Sequence, residues 1–189
     1  MDAKDSHGLS FKHSAGRSIR HNQLNDLIWR ALTRASTPSV KEPAGLSRSD
    51  GKRPDGLSVI PWQAGKCLKW DVAAADTLAA TYLAPASTTA DSVAEGAASR
   101  KANKFSAIAQ SHVFVPLAIE TLGQINFKGL KFLSEFGDRL TAATDDHREA
   151  SLPFQSISIL IQRFNAVCFH GKTPNLRMSN FRTCFNICF

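Results

Sequence analysis

Apolar positions first fall into a steady order after Asn22. Leu24, Leu27, Ile28, Ala31, Leu32 and Ala35 recur at the spacing of one helix face, which predicts a helix that stops before Pro38. Residues 1 to 21 carry no such period; they are polar, rich in Ser, His and basic side chains, and read as a lead-in. Residues 39 to 53 suggest a short extended piece around Val40 to Leu46 and a polar turn from Ser47 to Lys52. The period then changes from helical to alternating. Leu57 to Trp62 reads as a strand, Gln63-Ala64-Gly65-Lys66 as a turn, and Cys67 to about Ala75 as a second strand in which Leu68, Trp70 and Val72 alternate with Cys67, Lys69 and Asp71. Residues 76 to 92, rich in Ala, Ser and Thr, show no decisive pattern. Residues 93 to 110 predict a helix carrying Arg100, Lys101 and Lys104 with Phe105 and Ile108, and His112 to Glu120 predicts a buried strand ending at Thr121-Leu122-Gly123. Leu130, Leu133, Phe136 and Leu140 mark another helix, and Ser151 caps a last one whose face is Ile157, Leu160, Ile161, Phe164 and Cys168. Strands and helices in this mixed order argue an α/β sandwich around a central mixed sheet.

Composition narrows the class. The 189 residues are 43% hydrophobic and 21% charged, enough for one domain with a real core plus loose ends. No apolar run reaches the ~18 residues of a membrane span. Basic residues number 23 against 16 acidic, a net charge of +7, which favours a polyanionic partner. Residues 1 to 20 contain Asp2 and Asp5 and no apolar targeting core, so Cys67, Cys168, Cys184 and Cys188 are expected as free thiols in a reducing, intracellular compartment.

Candidate chemistry rests on two carboxylates. Asp55 opens the first hairpin strand and Asp71 lies in the second. Asp55 sits across from position 72 if the turn is centred between Gln63 and Ala64, and across from 74 if between Ala64 and Gly65. Either register brings two acids near each other on adjacent strands, where they repel unless a cation lies between them. Hard Mg²⁺ or Mn²⁺ suits oxygen donors of this kind and would polarise a phosphodiester. The plainer alternative is a turn Asp after Pro54 and a solvated Asp on the open face of a strand.

The wording around these acids is more specific. Gly51-Lys52-Arg53-Pro54-Asp55-Gly56 followed by Leu68-Lys69-Trp70-Asp71-Val72 resembles the (R/K)PD…D signature of the restriction-like endonuclease domain at the C-terminus of site-specific non-LTR retrotransposon proteins, within the PD-(D/E)XK nuclease superfamily. Ser14 to Arg17, Arg20-His21 and Asn25 to Ile28 match before the signature, and Lys101 to Phe105 after it. Phe114-Val115-Pro116, Ile119-Glu120-Thr121 and Gln162 to Asn165 are similar to the C-terminal part of reverse-transcriptase-derived proteins, so the likeness covers about residues 6 to 170.

The resemblance implies a restriction-endonuclease-like core, with about four strands in αβββαβ order and C-terminal helices. It divides the chain into a lead-in (1–21), this domain (22–170) and an irregular tail (171–189). Asp55 and Asp71 would be the metal-binding carboxylates, with Asp26 as an additional acid. Lys101 or Lys104 would supply a catalytic cation, although lysines on an Ala-rich helix are equally a solvated face. Arg17, Arg20, His21, Lys52 and Arg53 would meet the phosphates of DNA, with element RNA as a further partner, and residence would be nuclear.

Departures from the family are visible too. Ala73 stands where the superfamily's lysine follows the second acid, and Phe105 replaces a Tyr. His7-Gly8-Leu9-Ser10-Phe11 is similar to half of a zinc knuckle whose other ligands are absent, so no zinc is expected. Cys168, His170, Cys184 and Cys188 fit no structural zinc spacing, and Glu120 either faces the acid pair or caps a turn. Two competing readings follow. One is a decayed fragment that binds nucleic acid weakly. The other is a basic adaptor, in which residues 39 to 75 and 112 to 120 would not share a sheet.

Overall fold

The computed structural model describes residues 15–44 and 53–169. The zinc-knuckle remnant, Lys52, the Ser47 to Lys52 turn and the tail with His170, Cys184 and Cys188 lie outside the described residues, as do the side chains of Arg17, Ile108 and Cys168. Among the described residues there are five α-helices and one four-stranded sheet. In chain order they are α1 (Ala15–Arg34), β1 (Ser39–Lys41), β2 (Gly56–Gln63), β3 (Lys66–Ala75), α2 (Ala80–Thr88), α3 (Ser92–Lys104), β4 (Val113–Glu120), α4 (Phe127–Thr144) and α5 (Leu152–Phe169). The sheet order is β1-β2-β3-β4, antiparallel except for the parallel β3/β4 pair, so the fold is α/β with a mixed sheet. The strands within 39–41 and 56–75 thus share one sheet with 113–120, against what the basic-adaptor reading requires.

Strands β3 and β4 bury both faces, and the two faces differ. Leu68, Trp70 and Val72 of β3, with Val115, Leu117 and Ile119 of β4, pack under the apolar stripes of α1, α4 and α5 in the larger core. The opposite face, with Ala73, Ala75 and Ala118, lies under Val93, Ala94, Ala97 and Ala98 of α3. Small residues on both sides let α3 approach the sheet closely. The face of Asp71 is therefore roofed by a helix rather than open, and Asp71 is only 2% exposed.

Three elements depart from the pattern-based expectation. α1 begins at Ala15, inside the expected lead-in, because its polar first turns are held by tertiary contacts: Arg20 is buried and His21 bonds to Asp55. α2 forms in the undecided stretch with Pro85 inside it and no buried residue. The predicted 93 to 110 helix ends at Lys104, and Ser106–Gln110 continues as a 3₁₀ turn. Ser151 does precede the last helix, but its hydroxyl donates to the Arg148 carbonyl (3.1 Å). No helix of the described residues is long and apolar enough to cross a membrane.

Candidate metal centre

The register of the β2/β3 hairpin decides where the acids meet. The turn is centred between Ala64 and Gly65, which with unbroken pairing would set Asp55 across from Ala74. The observed pairs are Gln63 with Lys66, Pro61 with Cys67, Leu57 with Lys69 and Gly56 with Trp70, with register shifts on both sides of Pro61. Pro61 has no N–H for the ladder, a natural place for a bulge. The shifts absorb three residues of β2, and one further step sets Asp55 opposite Asp71. Directly opposed residues share a face, so both carboxylates lie on the α3 side. Neither register expected from the sequence is the one found, because both ignored the bulges.

Backbone and side chains fix Asp55 from every side. Its N–H donates to the Trp70 carbonyl (3.0 Å), and its own carbonyl accepts from Glu42 N–H (2.9 Å) and Asn25 Nδ2 (3.2 Å). Asn25 Oδ1 in turn accepts from Trp70 Nε1 at 2.8 Å, so one buried amide ties α1 to both strands. Oδ2 of Asp55 accepts from Val72 N–H (2.6 Å) and faces His21 Nε2 at 3.0 Å. Gly56 follows because a Cβ there would fall within the Trp70 ring.

One ligand atom from each of His21, Asp55 and Asp71 lies within 4.8 Å of the others, a spacing one cation can bridge. Lys101, from the last turn of α3, closes the cluster by an ion pair to Asp71 Oδ1. Burial, then the charge of Asp55, pushes the Asp71 carboxyl up to about 6, against the pull of Lys101 and, more weakly, Lys104. Burial pushes Asp55 upward as well. There the His21 bond and charge, the Val72 amide and Lys101 outweigh it and hold the carboxyl below its usual range. The bond to Asp55 holds His21 above the usual imidazole value, although burial opposes this. Two carboxyls driven apart in acidity beside a poised imidazole are what crowding of like charge produces.

The other expected residues are distributed differently. Asp26 is ion-paired with Lys41 of β1 and stands outside the converging group. Five residues beyond His21, it is turned about 140° away on a helix of 3.6 residues per turn. Arg53 is exposed and paired with Glu42, while Arg20 is buried, a position unsuited to an open phosphate contact. Lys104 lies with its ammonium 4.4 Å from the Phe105 ring, and Phe105 is buried against Phe114, so a tyrosine hydroxyl there would not reach solvent. Glu120 does not join the acid pair; its backbone carbonyl closes the following turn by accepting from Gly123 N–H (2.9 Å), and its side chain does something the sequence did not suggest. Its carboxylate accepts from Ala94 N–H (2.9 Å) and Thr77 Oγ1 (2.9 Å), capping the first turn of α3 and anchoring the helix that carries Lys101. Cys67 is a half-buried free thiol.

Sequence reasoning missed His21 as a member of the cluster, assigning it to a basic patch, and missed Asn25 as its support. Their four-residue spacing, one helical turn, was the available signal. It went unread because the apolar stripe of α1 starts only at Leu24. No protein-family model matches this chain, and no curated protein matches it.

Proposed function

We propose that the chain is a retroelement-derived, PD-(D/E)XK-like nuclease domain that hydrolyses DNA phosphodiesters with Mg²⁺ or Mn²⁺ and works in the nucleus. The observation that carries this reading is the convergence of His21, Asp55 and Asp71 on one spot beside Lys101. The donor set fits a divalent ion: two carboxylate oxygens and an imidazole nitrogen, with Nδ1 of His21 free to keep the proton because it lies 3.5 Å from Asn22 Oδ1. Such an ion would polarise a phosphoryl oxygen and lower the pKa of a water. Asp55, held by Val72 N–H, is the rigid anchor of the set. Lys101 can turn from Asp71 to an anionic phosphoryl oxygen once Asp71 is engaged elsewhere, offsetting charge that builds during hydrolysis. The mixed four-stranded sheet, reached in the order αβββααβ with one helix more than the expected αβββαβ, and the Pro54-Asp55…Asp71 wording support the superfamily assignment.

A second reading, an inactive remnant, has its own support: His21 neutralises Asp55 and Lys101 neutralises Asp71, so the cluster is satisfied by its own chain. Nicking of supercoiled plasmid in Mg²⁺ or Mn²⁺ separates the two. The nuclease reading expects nicking that falls to background in Asp55→Ala and Asp71→Ala and by about 10²-fold in Lys101→Met. Wild-type protein that nicks no faster than Asp71→Ala leaves only the remnant.

A further inference from the structure

A cavity of about 420 Å³ lies where the loop before α3, the loop after β4 and the first half of α5 meet. Its volume is that of a small-molecule site. Ile125, Leu130, Phe154, Ile157 and Ile161 give it apolar walls, and among the described residues no Lys, Arg or His lines it. Two polar groups in the lining have no use within the chain. Asp91 is the N-cap residue of α3, where an Asp side chain ordinarily accepts an N–H of the first turn from extended backbone. Here the backbone is left-handed (φ 62°), the Ala94 amide goes to Glu120 instead (2.9 Å), and Asp91 makes no cap bond. Its half-buried carboxylate forms no hydrogen bond or ion pair among the described residues. Gln124 is the second such group. Its Oε1 is shut off from solvent and has no hydrogen-bond partner, a state that folds rarely leave unexplained. Neither belongs to the acid cluster, since Asp91 precedes Lys101 by nearly the whole of α3, about 15 Å along the helix axis.

We propose that this cavity binds a small organic cation, a protonated amine on an apolar body, with Asp91 as its counter-ion and Gln124 as an acceptor for one of its N–H groups. The apolar walls take the body of such a ligand out of water. Asp91 selects the charge, because an anion entering the cavity meets a carboxylate and no basic side chain to offset it. A neutral ligand of the same shape gains the walls alone. The site goes beyond the nuclease reading and does not depend on it.

Titration of the full chain with phenethylamine, 2-phenylethanol or 3-phenylpropionate, followed by ¹H–¹⁵N correlation spectra, tests the site with one apolar body and three charges. Saturable shifts of the Gly123 and Gln124 amides are expected with phenethylamine. The alcohol should bind about fivefold more weakly, the worth of one partly exposed ion pair, and the carboxylate should produce no saturable shift. Asp91→Asn keeps the shape and tolerates the left-handed backbone, and it should bring phenethylamine down to the level of the alcohol. Ser158→Trp, at an exposed position of α5 that lines the cavity, should fill it and remove the response to both. Equal affinity for the amine and the alcohol overturns the proposal, as does amine binding unchanged in Asp91→Asn. So does the lack of any saturable shift in the wild type, whether the cavity is shut or already filled by another part of the chain or a second copy.

Discussion

Asp71 carries the tension of the site. Its carboxyl is driven up to about 6 by burial and by Asp55, well above the 3.8 of an unfolded aspartate. Between those two values the folded chain holds more protons than the unfolded one. Its stability therefore falls as pH rises through that window and then levels off with Asp71 ionised. Asp55 works in the opposite sense, because its lowered pKa contributes stability that is lost as pH falls through the folded value. A divalent ion removes the Asp71 penalty only where Asp71 is ionised. Differential scanning fluorimetry with Mn²⁺ should accordingly show a larger rise in Tm at pH 7.5 than at pH 5, since protons compete at both Asp71 and His21. Asp71→Asn should raise the Tm of metal-free protein at pH 7.5, because the half-buried Lys101 can rehydrate, while abolishing the Mn²⁺ increment. A lower Tm in metal-free Asp71→Asn would mean that the Lys101 pair is structural. The imidazole also sets a preference among metals: a nitrogen donor favours Mn²⁺ over Mg²⁺, and His21→Ala should narrow that gap.

At the scale of elements, the site depends on how a hairpin slips and how a helix is anchored. Without the bulges around Pro61 the two acids would be three residues out of step. Gly56→Ala pushes a methyl into the Trp70 ring and should cost about 1 to 3 kcal/mol by urea denaturation, with loss of Mn²⁺ stabilisation in the same variant. Glu120→Ala leaves the Ala94 amide and the Thr77 hydroxyl without an acceptor. It should cost a similar 1 to 3 kcal/mol and slow nicking by loosening α3 under Lys101, while Mn²⁺ binding at the acids persists.

These elements also mark what could be read from the letters alone. The alternation of Leu68, Trp70 and Val72 announced β3, and the stripe from Leu24 to Ala35 announced most of α1, because burial on one face imposes those periods. Strand pairing was legible; register was not. A bulge leaves no periodic trace, and only the missing N–H of Pro61 hinted at it. The first turns of α1 were hidden for a related reason: their helix is fixed by polar contacts to another element, which local pattern does not record. Glu120 was read as facing the acid pair or capping the turn after β4, and not as the acceptor at the start of α3, since its partner amide is 26 residues away in the chain.

For the whole molecule, the cluster draws on both layers around the sheet. α1, from the large apolar layer, supplies His21, and α3, from the alanine-rich layer, supplies Lys101 to the carboxylates of the central hairpin. The assembled site exists only in the complete fold, so metal bound there counts towards global stability; at one hundred times its dissociation constant the gain is about 2.7 kcal/mol. The Arg34–Glu149 ion pair between α1 and the turn before α5, with Glu149 nearly buried, helps hold the first layer in place. The net charge of +7 suits a phosphate polymer as partner, though no charge count distinguishes a nuclease from a binder.

The most direct test is an electron paramagnetic resonance titration of Mn²⁺ into the purified chain at pH 7.5. One bound ion per chain is expected in the wild type, a weaker site in His21→Ala, and none in the Asp55→Asn, Asp71→Asn double variant. Equal Mn²⁺ uptake by the wild type and the double variant would contradict the account at its root.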